Sequence, residues 1–261
     1  MQKLKFYLKE FSIFVLKEAR ASLFAGSFLF LLIVSSYILF SFLSRADFLF
    51  LAAVFIQIVM VLTKLETIDE AKTILLFHII GLALELYKTS PSIGSWTYPE
   101  LGFFHIAGVP LYSGFMYASI GSYIAQAWKI FKLKLHHTPP YSLSLILAVL
   151  IYLNFFTNHF LPDMRVLLAI LVLLIFWKTK IEYTVTTVAR KMPVTLSFVL
   201  IACFVWIAEN IGTFTKAWQY PQQITTWSAV SLHKVSSWSL LIIISFLLIA
   251  YLKHVKEKRK N

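Results

Sequence analysis

Eight apolar runs, separated by short polar stretches, set the pattern of this chain: 22–43, 48–63, 73–87, 109–131, 142–160, 166–177, 194–212 and 237–252. A helix rises about 1.5 Å per residue, so about 20 apolar residues cross a hydrocarbon core about 30 Å thick. The runs at 48–63 and 166–177 are short for that task. They read as tilted or partly buried partners, the second extending into 181–183, and a count of seven spans is the alternative. Ahead of the first run, Leu4, Tyr7, Leu8, Phe11, Phe14 and Val15 recur at helical spacing with lysines between them. Residues 1–20 therefore read as an amphipathic helix lying in the membrane interface. No small-residue cleavage site follows, and the first run is too long for a signal-peptide core, so a cleaved signal is not expected. The pattern predicts an all-α, polytopic transmembrane bundle of about eight spans, forming one integral membrane domain.

Composition agrees. Hydrophobic residues make up 59% of the 261 and charged residues only 14%, against about 25% charged in soluble domains. The mean hydropathy is +0.77. A net charge of +12 would suggest nucleic acid in a soluble protein, but here the basic residues sit at the ends of apolar runs. That placement excludes nucleic acid and makes membrane lipids the expected partner. It also supplies an orientation, because cytoplasmic loops are enriched in Lys and Arg. With both termini in the cytoplasm, only Arg45, Lys88, Arg165, Lys216 and Lys234 of the 24 basic residues fall outside. The single cysteine, Cys203, lies in an apolar run and excludes a disulfide framework.

A repeat divides the chain. Glu85 ends the third run and is followed by Trp96-Thr97-Tyr98-Pro99. Glu209 ends the seventh and is followed by Trp218-Gln219-Tyr220-Pro221. Both loops fall on the outer side, so the copies share one orientation, as in a parallel internal repeat. The predicted halves are 21–135 and 136–253, with a basic cytoplasmic tail at 254–261. Trp, Tyr and Pro also suit ordinary interfacial loops. The glutamates carry the sharper reading, because an ionisable group within a span is costly unless it faces a cavity or a partner.

Candidate chemistry gathers at the outer ends of the runs. Glu85, Glu209, His78 and His159 are the candidate catalytic groups. His78 and Glu85, seven apart, share a helix face. Trp96, Tyr98, Tyr112, Asn154, Trp206, Asn210, Trp218 and Tyr220 are candidate substrate contacts. No metal-ligand spacing and no phosphate-binding glycine pattern is present, so no metal is assigned and no cofactor is implied. A carboxyl held neutral by apolar surroundings can donate a proton, and aromatic faces can stabilise a developing cation. That pairing suits acid–base chemistry on a lipid or isoprenoid. It suits proton-coupled transport equally, and a non-catalytic membrane partner protein is the third class.

The stretches Gly94–Glu100 and Gly108–Ala118, with Tyr152-x-Asn154-Phe155-Phe156-Thr157-Asn158-His159, Arg190-Lys191-Met192-Pro193 and Ala208-Glu209-Asn210, carry a resemblance. Together they resemble the YoaT-like bacterial membrane family, domain of unknown function 817. The resemblance implies a multi-pass protein of the bacterial inner membrane and brings no site residues with it. Glu85, Tyr98 and Gly108-Val109-Pro110-Leu111 also show a partial likeness to carotenoid hydratases and small membrane lycopene cyclases, which implies an isoprenoid substrate class. The second copy lacks the Gly-Val-Pro-Leu step.

Overall fold

The computed structural model describes residues 2–258; the basic residues Arg259 and Lys260 of the predicted tail lie outside them. Nine α-helices occur among the described residues: α1 (Gln2–Ala21), α2 (Leu23–Ser35), α3 (Arg45–Leu62), α4 (Ile68–Lys88), α5 (Tyr112–Ile130), α6 (Tyr141–Thr157), α7 (Arg165–Phe176), α8 (Val194–Phe214) and α9 (Lys234–Lys258). Each of the eight apolar runs contributes one of α2 to α9, and the amphipathic stretch forms α1. Two small antiparallel sheets correct the all-α expectation. One pairs β1 (His105–Ile106) with β2 (Val109–Pro110), and the other orders β3 (Lys134–His136), β4 (Lys180–Thr184) and β5 (Ala189–Pro193). Residues 181–183, expected to extend the sixth helix, lie in β4. There Ile181 is buried between the polar Lys180 and Glu182, a two-residue alternation that a strand satisfies and a helix does not.

The first run also ends earlier than its apolarity suggests. The Ser35 and Ser36 hydroxyls turn back to the Leu32 and Ile33 carbonyls. The Arg45 guanidinium takes the Leu32 carbonyl at 2.9 Å, the Ser35 hydroxyl at 3.0 Å and the Thr215 carbonyl at 2.7 Å. One buried cation thus binds the C-terminal ends of α2 and α8, where the helix dipoles favour positive charge.

Among the described residues three helices are long and apolar enough to cross a membrane: α3, α8 and α9 over Lys234–Tyr251. The pair α1 and α2, bent by 72°, makes a fourth if counted as one span. Helices α6 and α7 are apolar but have 17 and 12 residues. Of the eight expected spans, length and composition therefore support three or four, and these mark the protein as membrane-associated. Helix α4 carries Asp69, Glu70, Lys72, Glu85 and Lys88, so it fails on composition.

The closest helix packing joins α4 to α5 and α8 to α9. Small residues permit the first pairing. A Cβ on Gly81 would overlap the Tyr117 ring, one on Gly121 the Phe77 ring, and one on Gly114 the His78 ring. Such small-residue contacts are how apolar helices approach closely. They set α4 and α5 in register and aim the Tyr117 hydroxyl at the C-terminal end of α4.

Candidate functional site

Glu85 is 2% exposed and lies one turn before the end of α4. Its Oε2 accepts from the Trp96 indole N–H at 2.7 Å and the Tyr98 hydroxyl at 2.6 Å; its Oε1 accepts from the Tyr117 hydroxyl at 2.7 Å. The first two donors come from the loop after α4 and the third from α5. Trp96 and Tyr98 are two apart in extended backbone, so both side chains face the carboxylate. Glu209 on α8 is 4% exposed. Its Oε1 accepts from the Tyr220 hydroxyl and, at 3.3 Å, from the Trp218 indole. Gly212 leaves the space that the Trp218 ring occupies.

The two loops meet. Thr97 and Gln219 form an antiparallel bridge in which each backbone N–H donates to the other's carbonyl at 2.9 Å. The flanking residues are therefore brought face to face, and the Trp96 and Tyr220 rings make an edge contact at 6.1 Å. Tyr112 extends the aromatic layer. Its ring lies edge-on to Tyr98 at 6.0 Å, and its hydroxyl donates to the Ala217 carbonyl at 2.6 Å.

Basic groups rim this layer. The Lys88 ammonium is buried and bonds the Asn158 amide oxygen at 3.0 Å and His159 Nε2 at 2.9 Å. Lys234 lies 4.5 Å from the centre of the Tyr220 ring. Arg165 pairs with Asp163 at 2.5 Å and reaches Ser237 at 2.7 Å. The Arg165 side chain holds the Asp163 carboxyl below its ordinary value. Partial burial, then the Lys88 and Lys234 charges, hold the His159 imidazole down.

The structure thus brings together Glu85, Glu209, Trp96, Tyr98, Trp218 and Tyr220, with Tyr112 adjoining. It separates the others. His78 lies two turns deeper on α4, its ring 4.5 Å from Phe115 and its Nδ1 buried without a hydrogen bond. His159 is an exposed rim residue that bonds Lys88 rather than either glutamate. Asn154 accepts from the Met164 N–H at 3.0 Å and fastens the α6–α7 turn. Trp206 donates to the Val230 carbonyl, while Asn210 accepts from the Val230 N–H; both hold the following loop against α8. Tyr117, the third donor to Glu85, lies outside the candidate set read from the sequence. Its signal there is indirect: a tyrosine on the helix that follows the loop.

A second buried carboxylate cluster lies at the opposite end. Glu66, 1% exposed in the α3–α4 turn, accepts from the Gln57 amide at 2.5 Å and from the Ser122 hydroxyl. Burial raises its carboxyl above the ordinary glutamate value. Nearby, Glu70 pairs with Lys253 at 3.0 Å, and Gln126 bonds the Leu65 carbonyl. No group of three metal-ligating side chains occurs among the described residues.

Comparison with known proteins agrees with the first resemblance. The model of a family described as a protein of unknown function (DUF817) matches residues 10–246. The chain is 51% identical over 251 residues to the uncharacterized protein YoaT of Bacillus subtilis (strain 168), covering 96% of this chain and 94% of that protein. No solved structure matches. These findings lend no support to the partial likeness to carotenoid hydratases and cyclases.

Proposed function

The chain belongs to the DUF817 family, and we propose that it is a multi-pass inner-membrane protein with an acid–base centre formed by Glu85 and Glu209. On this reading helices α2 to α9 all lie in the membrane as two equivalent four-helix halves, α2–α5 and α6–α9. Each half supplies one glutamate and one Trp-x-Tyr clasp. The pairing of α4 with α5 and of α8 with α9 supports this division, as does the position of each glutamate at the outer end of the third helix of its half.

The observation that carries the proposal is the Thr97–Gln219 bridge, which joins the two clasps into one centre. A carboxylate surrounded by hydroxyl and indole donors can exchange a proton with little movement, and the surrounding rings present faces to a developing positive charge. A substrate reaching this centre from the bilayer is apolar, which favours a lipid or isoprenoid chain. The test compares lipid and pigment extracts from cells carrying wild type, Glu85→Gln or Glu209→Gln at equal protein abundance. Loss of one product, or accumulation of one precursor, in both variants is expected. Unchanged profiles would overturn the enzyme reading.

One observation favours proton-coupled transport as a second reading. Tyr117, which holds Glu85, and Ser122, which holds Glu66, lie five residues apart on α5, about 7.5 Å along its axis. The carboxylates at the two ends are therefore each held by a side chain of the same helix, α5. Proton uptake by vesicles, abolished by Ser122→Ala with product profiles unchanged, would select this reading over the first.

A further inference from the structure

The end of the molecule opposite the Trp-x-Tyr loops carries a groove of about 440 Å³ between α1, the α3–α4 turn and α5. Its lining includes Lys17, Arg20, Lys64 and Lys129 and no carboxylate, together with Ile13, Leu16, Leu65 and Ile130. Basic groups therefore surround a pocket that also has an apolar wall. The nearest acids are engaged elsewhere: Glu18 accepts from the Tyr123 hydroxyl at 2.9 Å, and Glu66 from Gln57 and Ser122. Glu70, paired with Lys253, also feels the Lys129 charge, so the excess positive charge of the groove rests on Lys17, Arg20 and Lys64.

Two of its cations are also tied to the scaffold. The Lys17 ammonium donates to the Thr184 carbonyl at 3.0 Å, and the Lys129 ammonium to the Leu65 carbonyl at 3.1 Å. Arg20 and Lys64 are exposed and make no ion pair among the described residues. Lys64 also occupies a left-handed backbone position just past α3, with φ of 60°. Glycine takes that conformation without cost, whereas a lysine is strained there. A strained backbone position that keeps a charged side chain directs attention to what the charge does.

We propose that this groove binds the head group of an anionic phospholipid. The phosphodiester would sit among Arg20, Lys64, Lys17 and Lys129, with the acyl chains running along Ile13, Leu16 and Ile130. The wall formed by α1 supports a lipid over a soluble anion. Its exposed Leu4, Leu8, Phe11 and Val15 give that helix an apolar surface suited to the acyl region beside the groove. Guanidinium and ammonium groups arranged around one pocket suit a phosphate oxygen.

The experiment measures lipid retained by the purified full chain in mixed vesicles of phosphatidylglycerol and phosphatidylcholine. The test variant is Arg20→Gln/Lys64→Gly. Both sites are exposed, and glycine at 64 relieves the backbone, so the variant keeps its fold; a thermal melt at or above the wild-type value confirms this. The control is Lys3→Gln/Lys9→Gln, which removes equal charge from α1 outside the groove. A charge-assisted contact to a phosphodiester contributes about fivefold or more to binding, whereas diffuse surface attraction is largely screened at about 0.15 M salt. At that salt the test variant should therefore lower the preference for phosphatidylglycerol about 25-fold, with the control within about threefold of wild type. Equal loss in both variants would overturn the site in favour of diffuse surface charge. Displacement of the lipid by excess inorganic phosphate would assign the groove to a soluble anion and overturn the lipid assignment. Absence of any preference in wild type would overturn it outright.

Discussion

Replacing Glu85 separates two properties of the centre, its stability and its chemistry. In Glu85→Gln the amide oxygen can take the place of Oε2 and still accept from Trp96 and Tyr98. The amide NH₂ then faces the Tyr117 hydroxyl, which can turn its proton away and accept. Every donor keeps a partner, and what is lost is the charge assistance of the carboxylate, about 1–2 kcal/mol. Glu85→Ala instead leaves an indole N–H and two phenolic hydroxyls without an acceptor at a buried position. Each buried, unsatisfied polar group costs about 1–3 kcal/mol, so the alanine variant should lose at least about 3 kcal/mol even after partial relaxation. The assay is denaturant titration of the purified protein in detergent, read by tryptophan fluorescence, since Trp96 itself reports on the clasp. Glutamine clearly above alanine, by about 2 kcal/mol, is the expected order. Equal stabilities, or an alanine variant within about 0.5 kcal/mol of wild type, would refute the hydrogen-bonded clasp.

Further expectations follow from the same geometry. Tyr220→Phe should destabilise more than Tyr117→Phe in the same titration, because it leaves Glu209 to the weaker indole contacts of Trp218, at 3.3 Å, and Trp238, whereas Glu85 keeps two good donors; the costs are about 2–3 against about 1 kcal/mol. Gly81→Ala should cost about 1–3 kcal/mol by pushing α4 away from Tyr117, and a cycle with Tyr117→Ala should recover only part of it, because the Tyr117 Cβ itself lies 2.7 Å from the added methyl. Glu66, whose carboxyl is raised by burial, binds its proton more tightly folded than unfolded. It therefore stabilises the fold below the unfolded glutamate value and loses that contribution as pH rises through its folded value. Stability measured against pH should fall over that window in wild type and lose that component of the slope in Glu66→Gln.

Much of this arrangement is legible in the sequence, and the reasons differ by element. The apolar runs announce their helices, because each is continuous and bounded by polar residues. The Trp-x-Tyr loops announce their partners, because residues two apart in extended backbone share a face and the preceding glutamate is the nearest group that needs donors. Tyr117, Ser122 and Glu66 are different. Their roles depend on how α3, α4 and α5 pack, and that packing rests on Gly81, Gly114 and Gly121. In a one-dimensional pattern those glycines are only gaps. His78 illustrates the converse. Its spacing from Glu85 is right for a shared face, yet the close approach of α5 at Gly114 places it against Phe115 instead. Asn154 and Asn210 read as site residues because polar groups near span ends are costly, but they satisfy the backbone of turns. Residues 181–183 look like a helix extension by apolarity, but the alternation of buried and polar positions around Ile181 makes them a strand.

The meeting of the two loops can be tested by cross-linking Thr97 to Gln219. Antiparallel partners that exchange both backbone hydrogen bonds have Cα atoms about 5.5 Å apart, within the range a disulfide spans. In a Cys203→Ala background, the Thr97→Cys/Gln219→Cys variant should form an intramolecular disulfide on mild oxidation. Mass spectrometry would find it as one linked peptide containing Trp96 and Trp218, and either single variant would lack it. Two free thiols under the same oxidation would contradict the pairing, and with it the claim that Glu85 and Glu209 form one centre.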